Sequence, residues 1–122
     1  MSTQNNNNLI LCEKIIKELK ALQSESGTDF LSEILDVFTK SSKQRIDQLT
    51  IYSESKNIVG FKFELHALKS SALTIGASKL SEYCQKYEKD PELETKLDNV
   101  LLQIKYEMNN VLNAIKRLNI HY

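Results

Sequence analysis

The sequence predicts an all-α fold, an antiparallel four-helix bundle with a short additional N-terminal helix. Three observations lead there. The chain has only 3 Gly and 1 Pro in 122 residues, too few turn residues for a β-rich domain. Apolar residues recur at helical spacing through several long segments. The breaks between those segments are short, which makes consecutive helices antiparallel neighbours. The length predicts one domain, residues 9–122, behind a polar tail at 1–8.

Each element follows in order. Met1 to Asn8 contains four consecutive Asn residues; it cannot bury apolar surface and is expected to be disordered. Leu9 to Gln23 reads as a short helix with Leu11, Cys12, Ile15, Ile16, Leu19 and Leu22 as its apolar positions. Ser24 to Thr28, with Gly27 inside, is a break. Thr28 or Asp29 supplies an N-cap, its side-chain oxygen accepting from the first free N–H groups. The helix that follows reaches about Tyr52. Phe30, Ile34, Val37 and Phe38 form one side of its core stripe, and Leu31, Leu35, Ile46 and Leu49 extend it. Lys40 to Gln48 is polar, so mid-helix should face water broadly. Ser53 to Asn57 is a loop, and Asn57 caps the next helix, which ends near Thr74–Gly76. Gly76 suits a left-handed C-terminal residue. Ala77 to Glu88 is another helix, with Leu80, Tyr83, Cys84 and Tyr87 apolar. Asp90-Pro91-Glu92 is the clearest start signal in the chain: a capping Asp, Pro at the first helical position, and acidic residues at the positive end of the dipole. The last helix should therefore run from Pro91 to about Asn119.

Composition removes several classes of function. Charged residues are 26% and hydrophobic residues 41%, as in ordinary globular chains. Lys+Arg and Asp+Glu both number 16, so the basic excess typical of a nucleic-acid binder is missing. A protein surface is the expected partner. The 2 cysteines, Cys12 and Cys84, form neither a disulfide framework nor a zinc motif. Both fall at apolar helical positions and are expected to be reduced. No signal peptide or membrane span is visible. The expected location is the cytoplasm, and the nucleus as well in a eukaryote.

The segment from Ile58 to Gly76 carries one apolar face too many. Ile58, Phe61, Leu65, Leu68, Ala72 and Ile75 make a stripe with steps of 3, 4, 3, 4 and 3, which wants a core. A second line, Val59, Phe63, His66, Ser70 and Leu73, has steps of 4, 3, 4 and 3. His66 stands about 140° from the core stripe on a helical wheel. Lys62 and Lys69 flank it at i−4 and i+3.

A metal site fits poorly, because bundle di-metal sites use Glu three residues before the ligand His and Phe63 stands there. His121 lies in the tail. A Ser-His-Asp or Cys-His pair lacks a local acidic member on this face. Gly27, Gly60 and Gly76 are isolated, so no Gly-rich loop cradles a phosphate. His66 itself can be the nucleophile, since neutral imidazole offers one ring nitrogen. Lys69 would balance the charge of a phosphorylated ring, with Lys62 in support. Ala67 and Ser70 are small and leave room. Val59, Phe63 and Leu73 would give a partner an apolar surface. Two other readings stay open: a docking module in which His66 is incidental, and an all-α metal enzyme. Phe63 could alternatively tuck under the N-terminal helix.

The stretch His66-Ala67-Leu68-Lys69-Ser70-Ser71-Ala72-Leu73-Thr74-Ile75-Gly76-Ala77, followed by Cys84-Gln85-Lys86-Tyr87-Glu88, resembles the motif of the histidine-phosphotransfer (HPt) family of two-component phosphorelays. Phe30 to Phe38 looks like the preceding long helix of that family. The resemblance implies that His66 accepts a phosphoryl group from a receiver-domain aspartate and passes it to another receiver. It implies Lys69 as the nearby positive charge, Ser70 as the small residue beside the site, and Gly76 as the helix-ending turn. Cys84 would be a structural position. Docking would involve Val59, Lys62, Phe63, Ala67 and Leu73. Implied partners are response-regulator receiver domains and a hybrid sensor histidine kinase, met by a monomer. The chain would hold no cofactor or metal of its own, with Mg²⁺ on the receiver. It would be a phosphoryl carrier without ATP-binding elements. Two positions depart from the pattern: Ser70 where Gly is usual one turn after the His, and Phe63 where a polar residue often stands. Partner choice or rate should differ accordingly.

Overall fold

Glu13–Ser26 forms α1, Phe30–Glu54 α2, Ile58–Thr74 α3, Ser78–Glu88 α4 and Leu97–Ile120 α5, with a 3₁₀ turn at Leu93–Lys96 leading into α5. The computed structural model describes residues 10–26 and 30–120. The expected tail at 1–8, the Gly27 break, the Thr28 or Asp29 cap and His121 lie outside the described residues. α2 packs against α3 and α5, α4 packs against the same two, and α1 lies on α2. This ring of neighbours is the four-helix bundle, with α3 and α5 at opposite corners.

The core is built as the helical period requires. Phe61, Leu65, Leu68, Ala72 and Ile75 of the α3 stripe are fully buried. They meet Leu31, Leu35, Phe38 and Leu49 of α2, Leu80 and Cys84 of α4, and Val100, Ile104, Met108 and Val111 of α5.

Three expectations change. Val37 does not join the α2 stripe; it is 66% exposed. The buried positions of α2 are Leu31, Leu35, Phe38, Ser42, Leu49 and Ser53, and Val37 stands about 130° from their mean direction on the wheel. The first helix starts at Glu13 and continues through Ser26, so Leu11 and Cys12 precede it. The cause is tertiary: the Cys12 N–H donates to the Gly76 carbonyl at 2.7 Å, which anchors the start of α1 on the α3–α4 turn. The last α-helix starts at Leu97, not Pro91. Asp90 is the reason. Its carboxylate accepts from the Glu92 N–H at 2.8 Å, and its carbonyl accepts from the Leu93 N–H at 3.2 Å. Thr95 N–H then reaches Glu92 O at 3.0 Å. These short-range bonds wind the chain tighter than an α-helix.

Lys96 closes the same turn, its ammonium 2.9 Å from the Asp90 carboxylate. The Glu92 N–H and then Lys96 hold the Asp90 carboxyl below its usual range. The sign is therefore that of a depressed acid: its contribution is present above the ordinary carboxylate range and is lost as pH falls through the lowered folded value. Asp90→Asn should flatten that part of the acid limb in urea melts taken from neutral pH downward. An unchanged limb would remove the clip from the stability account.

The α3–α4 connection has the hydrogen bonds of a Schellman ending. Ala77 N–H reaches Ala72 O at 2.8 Å and Gly76 N–H reaches Leu73 O at 3.1 Å. Gly76 has φ 78°, as its sequence position predicts. A Cβ there would also stand 2.9 Å from the backbone N and the Cβ of Cys12. Both the turn and the seat of α1 therefore require glycine.

Candidate functional site

The rotation of α3 about its axis decides which residues reach the surface. Asn57 starts the helix, its side chain accepting from the Gly60 N–H at 2.9 Å. A Cβ on Gly60 would stand 2.7 Å from the Tyr52 ring, so the bare Gly60 lets that ring lie across the first turn. One turn on, Glu64 is buried with its side chain 6% exposed, and its carboxylate accepts from Arg45 at 2.9 Å. Arg45 thus turns inward out of the polar Lys40–Gln48 tract, where broad solvent exposure was expected. Removing Arg45, itself 34% exposed, would leave the buried Glu64 carboxylate without its partner, which is destabilising. Gly60 and Glu64 thus hold one side of α3 to α2.

The side turned away from the core is left uncovered. Val59 is 81% exposed, Phe63 64% and Leu73 54%. Phe63 does not tuck under α1. The His66 side chain is 60% exposed among them. Lys62 and Ala67 are half-buried at the edges of this strip.

His66 has an acidic partner, and it comes from the next helix. Its Nδ1 lies 3.0 Å from Glu88 Oε2. A carboxylate accepts and does not donate, so Nδ1 carries the hydrogen and donates it. The lone pair is left on Nε2. Glu88 Oε1 faces the Lys69 ammonium at 3.9 Å, an ion pair too long for a hydrogen bond. Lys69 packs inward with its side chain 21% exposed. One carboxylate thus connects the imidazole to the cation beside it.

Other nucleophiles near the ring are occupied or muted. The Ser70 hydroxyl donates back to the His66 carbonyl at 3.4 Å, as its position one turn on predicts. Ser71 and Thr74 do the same to Ala67 and Ser70, each at 3.2 Å. Cys84 is fully buried. Burial pushes its thiol up to about 12, Glu88 adding to the rise and Lys69 opposing it. The thiolate needed for nucleophilic chemistry is therefore scarce at neutral pH. Among the described residues, no group of three or more His, Cys, Asp and Glu side chains converges as a metal site, and no helix is long and apolar enough to cross a membrane.

Glu88 is the site residue that reasoning on the His66 helix alone misses. A signal for it exists one helix on. Ala77, Ser81, Cys84 and Glu88 are spaced 4, 3 and 4 apart, and Ala77, Ser81 and Cys84 are buried. The stripe that packs inward therefore ends on an acid, and an antiparallel hairpin turning at Gly76 brings that end level with His66.

The chain is also similar to known proteins. A family model described as the Hpt domain matches residues 33–117. A histidine-containing phosphotransfer protein 1 of Oryza sativa subsp. japonica is 28% identical over 117 residues, covering 88% of this chain and 78% of the relative. The phosphorelay protein LuxU of Vibrio harveyi is 37% identical over 66 residues, covering 54% of this chain and 58% of LuxU. Among solved structures, histidine-containing phosphotransfer protein B from Pseudomonas aeruginosa PAO1 superposes with a TM-score of 0.81, covering 93% of this chain and 96% of that one at 18% identity. At that identity the likeness speaks for the fold alone.

Proposed function

The chain belongs to the Hpt domain family, and from that premise we propose that it is a phosphorelay intermediate whose phosphoryl-accepting atom is Nε2 of His66. One observation carries the assignment. The imidazole stands on an exposed face with Nδ1 tied to Glu88 at 3.0 Å, which leaves the Nε2 lone pair free. That lone pair attacks the phosphorus of a receiver's aspartyl phosphate. The N–P bond forms as the P–O bond breaks, and the electron pair returns to the aspartate as carboxylate. Onward transfer runs the same step in reverse toward a second receiver.

The neighbours divide the remaining work. Lys69 balances phosphoryl charge, Ser70 keeps the approach to the ring narrow but open, and Val59, Lys62, Phe63, Ala67 and Leu73 receive the partner. The partners are receiver domains and a hybrid sensor histidine kinase, and the divalent cation belongs to the receiver. The protein is a carrier rather than a kinase, and it works as a monomer that engages partners in turn.

The test is direct. Incubation with a phosphorylated receiver and Mg²⁺ should label the wild type with acid-labile, alkali-stable phosphate, and a second receiver should discharge it. Stable complex formation without label would favour a pure docking module on the Val59–Phe63–Leu73 face. In the same assay Lys69→Ala should slow transfer by about tenfold, the scale of one charge-assisted contact, with its circular dichroism unchanged. Wild-type kinetics in that variant would remove Lys69 from the site.

A further inference from the structure

We infer that the Ser70 hydroxyl turns from its own backbone to the phosphoryl group once His66 carries it, and that this bond draws the transfer equilibrium toward this protein. This rests on His66 being the phosphorylated residue. Glu88 bonds the His66 ring and faces Lys69, so α4 lies on the Lys69 side of His66. On the helical wheel Lys69 stands about 60° to that side and Lys62 about 40°. Nδ1 points there too. The lone pair of Nε2, on the other edge of the ring, is therefore aimed outward and away from α4. The exposed or half-buried residues within one turn on that other side are Phe63, Ala67 and Ser70. Phe63 and Ala67 end in carbon and hydrogen alone. Ser70 is exposed and ends in a hydroxyl, so it is the side-chain donor on the Nε2 flank.

The resting bond of that hydroxyl is weak. It donates to the His66 carbonyl at 3.4 Å, near the outer limit of a hydrogen bond. The same one-turn-back bond is 2.8 Å at Thr39, 2.9 Å at Thr50 and 3.2 Å at Ser71 and Thr74. An exposed side chain changes rotamer rapidly, and its hydroxyl hydrogen rotates to suit the acceptor. Cβ atoms four residues apart on a helix stand about 5–6 Å from each other, which brings a phosphoryl oxygen on the Nε2 side within reach. A hydrogen bond to a charged oxygen is shorter and about twice as strong as a neutral one. The hydroxyl thus exchanges a distant neutral acceptor for a charged one. No covalent bond to Ser70 is made or broken, and its proton stays on the oxygen. Lys69 and Ser70 then hold the phosphoryl group from opposite flanks of the ring.

A bond and a steric gate differ in what they change. A side chain that only narrows the approach to the ring alters loading and discharge by the same factor and leaves their ratio alone. A bond made only to the phosphorylated ring alters the ratio. The measurement is the partition of label between this protein and one receiver domain in Mg²⁺, followed to equilibrium from both directions. Ser70→Ala should move that partition about tenfold toward the receiver, the difference between a charge-assisted and a neutral hydrogen bond, with its circular dichroism unchanged. Ser70→Gly should partition as Ser70→Ala does, however much faster it loads and discharges. Ser70→Thr keeps the hydroxyl and should partition as the wild type does, whatever its added methyl does to the rates. Equal partition for wild type and Ser70→Ala overturns the inference, and so does a Ser70→Thr protein that partitions like Ser70→Ala. Either result leaves His66 as the phosphoryl acceptor. Absence of label on wild type overturns the functional assignment itself.

Discussion

His66→Gln is expected to fold like the wild type and to take up no phosphoryl group. The two halves of that result have separate causes. The imidazole is 60% exposed and makes one side-chain hydrogen bond, to a glutamate that water or the new amide can also satisfy. Surface replacements of this kind usually stay within about 0.5 kcal/mol, so the melting temperature should move by only a few degrees at most. The chemical loss is complete, because an amide nitrogen has no available lone pair and nothing beside it substitutes. The Ser70 hydroxyl is bonded to its own backbone and the Cys84 thiol is buried and protonated. The measurement pairs a thermal melt with label transfer from a phosphorylated receiver. Label that persists on a folded His66→Gln protein sinks the assignment of the phosphoryl group to this ring.

Phe61→Ala should be the most damaging single change to the fold. Phe61 is fully buried, and truncating a core phenylalanine costs about 3–5 kcal/mol. Domains of this kind have about 5–15 kcal/mol in total, so the urea midpoint should fall steeply, with unfolding under way at low denaturant. Phe63→Ala is the matched control. It is the same side chain two positions along α3, but 64% exposed, and its truncation should change stability by under about 0.5 kcal/mol. If the proposed docking face receives a partner, the effect of Phe63→Ala is expected in receiver binding, where a docked aromatic is commonly worth about 2 kcal/mol. Equal destabilisation by the two replacements would mean that α3 does not turn Phe61 to the core and Phe63 to water.

That contrast between two phenylalanines is legible in the sequence, because it is a property of one helix. A residue every 100° along a helix separates Phe61 from Phe63 whatever surrounds them. The same arithmetic put His66 outside the core, and the left-handed preference of glycine placed the end of its helix at Gly76. It failed where a helix carries more apolar residues than its buried side can take. Val37 and Phe38 are adjacent and both apolar, and only the placement of α3 and α5 against α2 buries Phe38 and leaves Val37 in water.

The all-α class, the order of the helices and the outward face of α3 follow from the chain alone, since each rests on local periodicity and local capping chemistry. Tertiary packing set the pairings between segments far apart in the chain. Glu88 meets His66 across 22 residues and Arg45 meets Glu64 across 19. Cys12 is drawn out of its expected helix by a carbonyl at Gly76. A helix period states which direction a side chain leaves its own axis, and carries no information about which other axis lies in that direction. The geometry that ties Nδ1 of His66 and leaves Nε2 free is a product of helix packing, because the acid that does it sits on the neighbouring helix.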